Sequence, residues 1–186
     1  MYIPSNLDWE KLLRDDPVLA RPLIPLSFAA AALVALFAPT NVLERHSSLA
    51  WFANQMSRAV PSIRQWAVVS EFPEVTQLFF ALAWILAPFQ AFMAYRLPAL
   101  HRQMVAHWRA KPAVRWFVPL LVIVILPLFL WGALTLGWET TDCVGVCLGK
   151  SRAALALVGG VIPVASALAA VVIAIWLRRF QDIYLS

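Results

Sequence analysis

Residues 75–95 read VTQLFFALAWILAPFQAFMAY, with no acidic or basic side chain anywhere in the run. A helix rises 1.5 Å per residue, so roughly 20 apolar residues cover a hydrocarbon core about 30 Å thick. This run is therefore long enough to cross a membrane. Lipid offers the backbone no hydrogen-bond partners, so the crossing element must be a helix that satisfies its own amides and carbonyls.

Three further runs have the same character. Residues 22–40 (PLIPLSFAAAALVALFAPT) carry no charge, residues 116–138 open and close on Trp116 and Trp138, and residues 153–177 end against Arg178 and Arg179. The expectation is an all-α polytopic integral membrane protein: one membrane domain over residues 1–186 and a bundle of four transmembrane helices. Loops 41–74 and 139–152 lie on one side and loop 96–115 on the other.

Composition agrees. The chain is 62% hydrophobic and 13% charged, whereas soluble domains sit near half apolar and a quarter charged. Fifteen Lys and Arg against ten Asp and Glu give +5. These bases flank the apolar runs, which suits contact with anionic membrane lipid and argues against nucleic acid as a partner. The first twenty-one residues include Asp8, Glu10, Asp15 and Asp16, too acidic for a cleavable signal peptide.

Orientation follows from the basic residues beside the spans. With the N-terminus inside, Lys11, Arg14, Arg21, Arg96, Arg102, Arg109, Lys111, Arg115, Arg178 and Arg179 are internal. Arg45, Arg58, Arg64, Lys150 and Arg152 are external. The positive-inside bias places both termini in the cytoplasm, with the chain in a bacterial inner membrane. The cysteines agree independently. Cys143 and Cys147, the only two, fall in the second external loop, on the oxidising side, where a disulfide persists.

The loops carry amphipathic patterns. Ser5 to Asp8 reads as a helix start followed by Trp9, Leu12 and Leu13 on one face, which suits a short interfacial helix. In the first external loop Leu49, Phe52, Met56 and Val60 recur at helical spacing, Pro61 interrupts, and Ile63, Trp66 and Val69 form a second apolar face. This loop is expected to rest on the membrane boundary.

Candidate chemistry is sparse. Disulfide-making membrane oxidoreductases pass electrons between two cysteine pairs, and this chain has one pair, spaced by three residues, so a structural disulfide is the favoured reading. His46, His101 and His107 lie outside the spans and read as solvated polar residues; neither a metal nor another cofactor is expected. The intramembrane polar residues of note are Gln77 and Gln90; Gln90 could bind a substrate, but its favoured role is a bond to a neighbouring helix. Nothing matches a hydrolase or nucleotide-binding motif.

The fourth span has small residues four apart: Ala156 with Gly160 (beside Gly159), and Ala165 with Ala169. Such stripes let helices approach closely, so the first and fourth spans are expected to pack together. The aromatic second and third spans are then expected to face lipid or another protein. The functional expectation is a non-enzymatic protein working through protein–protein interaction: an accessory subunit, an assembly factor, or an immunity protein against a membrane-acting toxin. Another membrane protein or a homo-oligomer would be the partner. A small oligomeric transporter or pore component is the alternative, and a thiol-redox enzyme ranks last.

Overall fold

The computed structural model describes residues 23–110, 112–136 and 149–184. Cys143 and Cys147 lie outside these residues, as does the expected interfacial helix near the N-terminus. Among the described residues all regular structure is helical. The elements are α1 (Leu23–Phe37), α2 (Val42–Arg45), α3 (Ser47–Ala59), α4 (Ser62–Val68), α5 (Pro73–Tyr95), α6 (Pro98–Ala110), α7 (Pro112–Leu120), α8 (Leu126–Thr135), α9 (Arg152–Ala154) and α10 (Val161–Tyr184). A π-helical turn, Leu121–Ile125, joins α7 to α8, and a second, Leu155–Gly159, precedes α10.

Among the described residues three helices are long and apolar enough to cross a membrane: Pro73–Tyr95, Trp116–Thr135 and Arg152–Tyr184, the last two running through their π turns. In the first expected span the described helix is α1, whose 15 residues from Leu23 make about 22 Å.

Both π turns have the same local cause. A proline inside a helix lacks the N–H for its i−4 bond, and its ring collides with that carbonyl. Pro127 would meet the carbonyl of Ile123, in the middle of the first π turn, and Pro163 would meet that of Gly159, the last residue of the second. Widening the turn by one residue relieves the collision, and the Leu126 amide accordingly reaches back to the Leu121 carbonyl, five residues away. Pro88, by contrast, sits inside an α5 that continues through it as α-helix.

α5 is the centre of the bundle and packs against α1, α3, α4 and α10. Phe79 and Phe80 are 1% exposed and lie edge to face at 5.2 Å, and Phe80 meets Trp66 of α4 at 5.4 Å. Around them Ala31 and Ala35 of α1, Ala53 of α3, Ile63 of α4 and Leu155 complete one core cluster. A second cluster joins Trp108 of α6, Val118 and Val122 of the third span, and Val171, Ile175, Trp176 and Ile183 of α10.

This arrangement corrects the expected packing in part. α1 meets the start of the fourth span and the third span is largely exposed, as expected, but the second span buries Phe79 and Phe80 at the heart of the fold and leaves Phe89 and Phe92 exposed. The fourth span has α5 as its main neighbour, while α1 packs on α5 and on the π turn Leu155–Gly159. The physical reason is the pairing of bulky with small: Phe79 needs a backbone that lets it approach, and Gly159 supplies one. A Cβ at Gly159 would stand 2.8 Å from Phe79 Cε1 and 3.0 Å from Leu155 Cδ1. Gly160, its neighbour, instead borders a gap of about 20 Å³ with Ala31, Ala83, Gln90, Ala156 and Pro163, which is room for one water.

The sequence stretch 96–115, expected as a loop, is mostly helix. Pro98 starts α6, where its missing N–H costs nothing. Leu100, Met104 and Trp108 follow at four-residue spacing and pack into the second core cluster.

Replacing Gly159 with Val should cost about 1–3 kcal/mol through overpacking against Phe79. Gly132→Ala, where the nearest atom to a new Cβ is Leu136 Cδ1 at 3.9 Å, should leave stability within about 0.5 kcal/mol of wild type. Unfolding in mild detergent measures both, and equal midpoints for the two variants would refute the packing.

Candidate functional site

Polar side chains gather at the two ends of the bundle, and the two ends differ. At the end where α5 begins, they close helix termini. Ser62 Oγ donates to the Ala133 carbonyl (2.8 Å) and Gln65 Nε2 to the Thr135 carbonyl (3.1 Å), both in the last turn of α8. Arg152 Nη1 donates to the carbonyls of Ala38 (2.6 Å) and Leu36 (3.3 Å) at the finish of α1. A helix leaves its last four carbonyls without intrahelical partners, and its C-terminal dipole favours a cation. Glu74 does the converse at a helix start: its Oε2 accepts from the amides of Leu43 (2.6 Å) and Glu44 (3.2 Å). Ser70 ties the connection ahead of α5 together, meeting Thr76 Oγ1 at 2.8 Å and donating to the Gly149 carbonyl at 3.3 Å. Gln77, named from the sequence, belongs to this end. Its Nε2 donates to Asn54 Oδ1 (3.1 Å) and Ser57 Oγ (3.0 Å) on α3.

At the other end, where α5 finishes, α6, the tip of α5 and the last turns of α10 enclose a cleft of about 920 Å³. Five arginines line it: Arg96, Arg102, Arg109, Arg178 and Arg179. Asp182 is the one carboxylate among its lining residues. The backbone of α10 leaves helical geometry at Arg179 (φ −107°, ψ 15°). Beyond this kink Ile183 turns into the core, Phe180 and Tyr184 pack against each other and against Trp176 just ahead of it, and the Asp182 carbonyl accepts from Arg109 Nε at 2.7 Å and also from its Nη2. Arg179 Nη1 pairs with Asp182 Oδ2 at 3.0 Å.

Tyr95 and His101 form the back of this cleft. His101 is 8% exposed, and its Nε2 meets the Tyr95 carbonyl at 2.7 Å. A carbonyl only accepts, so Nε2 carries the proton. The two rings stand edge to face at 5.0 Å. His101 is thus a buried cap on α5, which corrects its reading as a solvated residue; His107 is partly exposed on the same helix. On the open side Arg178 Nη1 donates to Tyr95 Oη (3.1 Å), and Arg96 lies 4.8 Å over the Phe92 ring.

The remaining sequence-named residues do not converge on one site. Gln90 is buried and borders the small gap beside Gly160. Ala156 packs on the first core cluster, Gly159 touches Phe79, Ala169 is buried on α10, and Ala165 is partly exposed. Among the described residues no three His, Cys, Asp or Glu side chains come close enough to hold a metal ion. The arginine cleft escaped a reading that searched for charge inside the spans. The available signal was that Arg96, Arg102, Arg109, Arg178 and Arg179 all fell on one side of the expected topology. No protein-family model, curated protein or solved structure matches the chain.

His101→Phe keeps a flat ring of similar size but leaves the Tyr95 carbonyl without its donor. The expected loss is about 1–3 kcal/mol, read as a lowered unfolding midpoint in detergent. His101→Gln, which restores an N–H, should recover part of it. A Phe variant as stable as wild type would remove the capping role.

Proposed function

We propose that the chain is a non-enzymatic protein of a bacterial inner membrane, crossing it four times with both termini cytoplasmic, and that it works by binding another membrane protein or a second copy of itself. The observation that carries this reading is the exposure of the third span. Of the most apolar stretches of the three long helices, 11% is buried in Trp116–Thr135, against 44% in each of the other two. Val118 and Val122 face the second core cluster, while Ile123 and Leu128 are 62% and 61% exposed, and Trp131 stands outward beside them. An aromatic and aliphatic face of this kind suits packing against a partner helix.

The non-enzymatic part is supported by how the hydroxyls are used. Ser57, Ser62, Thr135 and Ser166 each donate to a backbone carbonyl, which makes them structural bonds rather than nucleophiles. The accessory-subunit, assembly-factor and immunity readings all share this mode of action. In this proposal the fourth crossing is the uncharged run 22–40, within which α1 is the described helix.

Topology is tested by cysteine labelling in a Cys143→Ser, Cys147→Ser background. Four crossings predict that Arg58→Cys reacts with an impermeant maleimide in intact cells and that Ser5→Cys reacts only after permeabilisation. Labelling of both from the same side would leave three crossings. The interaction is tested by placing a photo-crosslinker at Ile123 or Leu128. A discrete protein adduct, either a heterologous partner or a dimer, is expected, with none from Val122; adducts with lipid alone would sink the interaction reading.

A further inference from the structure

We propose that the arginine cleft at the finish of α5 is a binding site for a phosphate-bearing anion. Converging five guanidinium groups on one cleft is electrostatically unfavourable unless something negative enters. Among the described residues only part of the charge is offset: Arg179 has Asp182, Arg109 has the Asp182 carbonyl, and Arg178 has the Tyr95 hydroxyl. Arg102 has no hydrogen-bond or ion-pair partner among the described residues, and Arg96 meets only the face of Phe92 through its side chain. Both guanidinium groups thus keep their forked donors for a ligand, and that fork matches the paired oxygens of a phosphate.

Tyr95 adds a neutral donor. Its Oη accepts from Arg178, which leaves its own O–H proton for an incoming oxygen. His101 and the π-cation contacts fix Tyr95 in place, so the donor is ordered before the ligand arrives. The cleft wall is not polar throughout. Phe92, Val105 and Ala106 line it beside the arginines, so a phosphate with an apolar attachment is accommodated.

Two sources share this chemistry: the headgroup of an anionic phospholipid and a free phosphate. The lipid source rests on the membrane reading proposed above; the free-phosphate source does not. Basic clefts between membrane helices on the cytoplasmic side are suited to acidic headgroups, and the positive-inside bias puts this end there.

The experiment uses the full chain purified in mild detergent. Retained phosphatidylglycerol is counted by native mass spectrometry, and inorganic phosphate is titrated calorimetrically. The variants are Arg102→Gln, the double variant Arg96→Gln with Arg102→Gln, and Arg58→Gln as a control at the opposite end of the bundle. Arg102 bonds to nothing described, so its loss leaves folding intact, which an unchanged unfolding midpoint verifies. Each arginine removed should weaken binding about fivefold, while Arg58→Gln binds like wild type. Arg102→Lys, which keeps the charge without the fork, should bind between Arg102→Gln and wild type. Arginine-dependent retention of phosphatidylglycerol that phosphate does not displace assigns the lipid source; phosphate binding by itself, or displacement of lipid by it, assigns the free anion. Equal lipid retention by wild type and the double variant, together with no phosphate binding, overturns the site. Labelling that shows no membrane crossing would remove the lipid source and leave the phosphate result standing.

Discussion

Phe79 against Gly159 is the contact on which the architecture turns. Within apolar surroundings the hydrophobic effect does not press helices together, and close van der Waals contact takes its place. Such contact needs one surface that projects and one that yields. Phe79 projects from the first third of α5, locked by Phe80, and Gly159 yields at the end of the π turn that leads into α10. Pro163 widens that turn, so a proline in the fourth span sets the shape of the backbone that receives a phenylalanine of the second. α1 then lays Ala31 and Ala35 along the same region.

Once the helices are joined at this contact, their ends determine the rest. Every helix leaves unpaired carbonyls at its finish, and an apolar surrounding makes these expensive. The connection between α1 and α5 answers this with a short helix, α4, whose Ser62 and Gln65 reach the end of α8, while Glu74 in the first turn of α5 accepts from the first amides of α2. Arg152, from the start of the fourth span, closes α1 in the same way. The opposite end closes α5 with His101 and holds the last turns of α10 with Arg109. These polar residues are structural first. The arginine cleft follows as a by-product of bringing α6 and the kinked end of α10 to the tip of α5.

The sequence showed the long apolar helices because length and absence of charge are properties of a contiguous run. It showed a helix break at Pro61, since α3 ends at Ala59 and α4 starts at Ser62. It was less informative about faces: Leu49 and Val69, assigned to apolar stripes, are exposed, whereas Ile63 is fully buried. The π turns were not legible because proline announces a distortion without specifying whether the helix kinks, as a rule, or widens. Gly159 could not be told from Gly160, since one residue of helix phase decides which meets Phe79. The cleft was hidden for another reason. Arg96 and Arg178 are far apart in the chain, and a count of basic residues on one side of a membrane does not say that they converge. α6 was missed because its basic residues drew attention away from the spacing of Leu100, Met104 and Trp108.

The third span shows how little packing such a helix requires. Val118 and Val122 meet α10 through Val171, Ile175 and Trp176, and the last turn of α8 is held by Ser62 and Gln65. Between these two anchors its outward face is largely uncovered by the described residues. In water that face would drive collapse or aggregation, at about 25 cal/mol for each Å² exposed. Among lipid tails it carries no such penalty, so the helix is free to present Ile123, Leu128 and Trp131 as a surface. The same absence of a hydrophobic force means that a partner must win by shape and by side-chain fit. Trp131 and Phe129, large and rigid, offer contact area of that sort at low entropic cost. In the proposed membrane setting the third span is held at its two ends and leaves its middle to lipid or to the proposed partner, because its anchors and its open face use different residues.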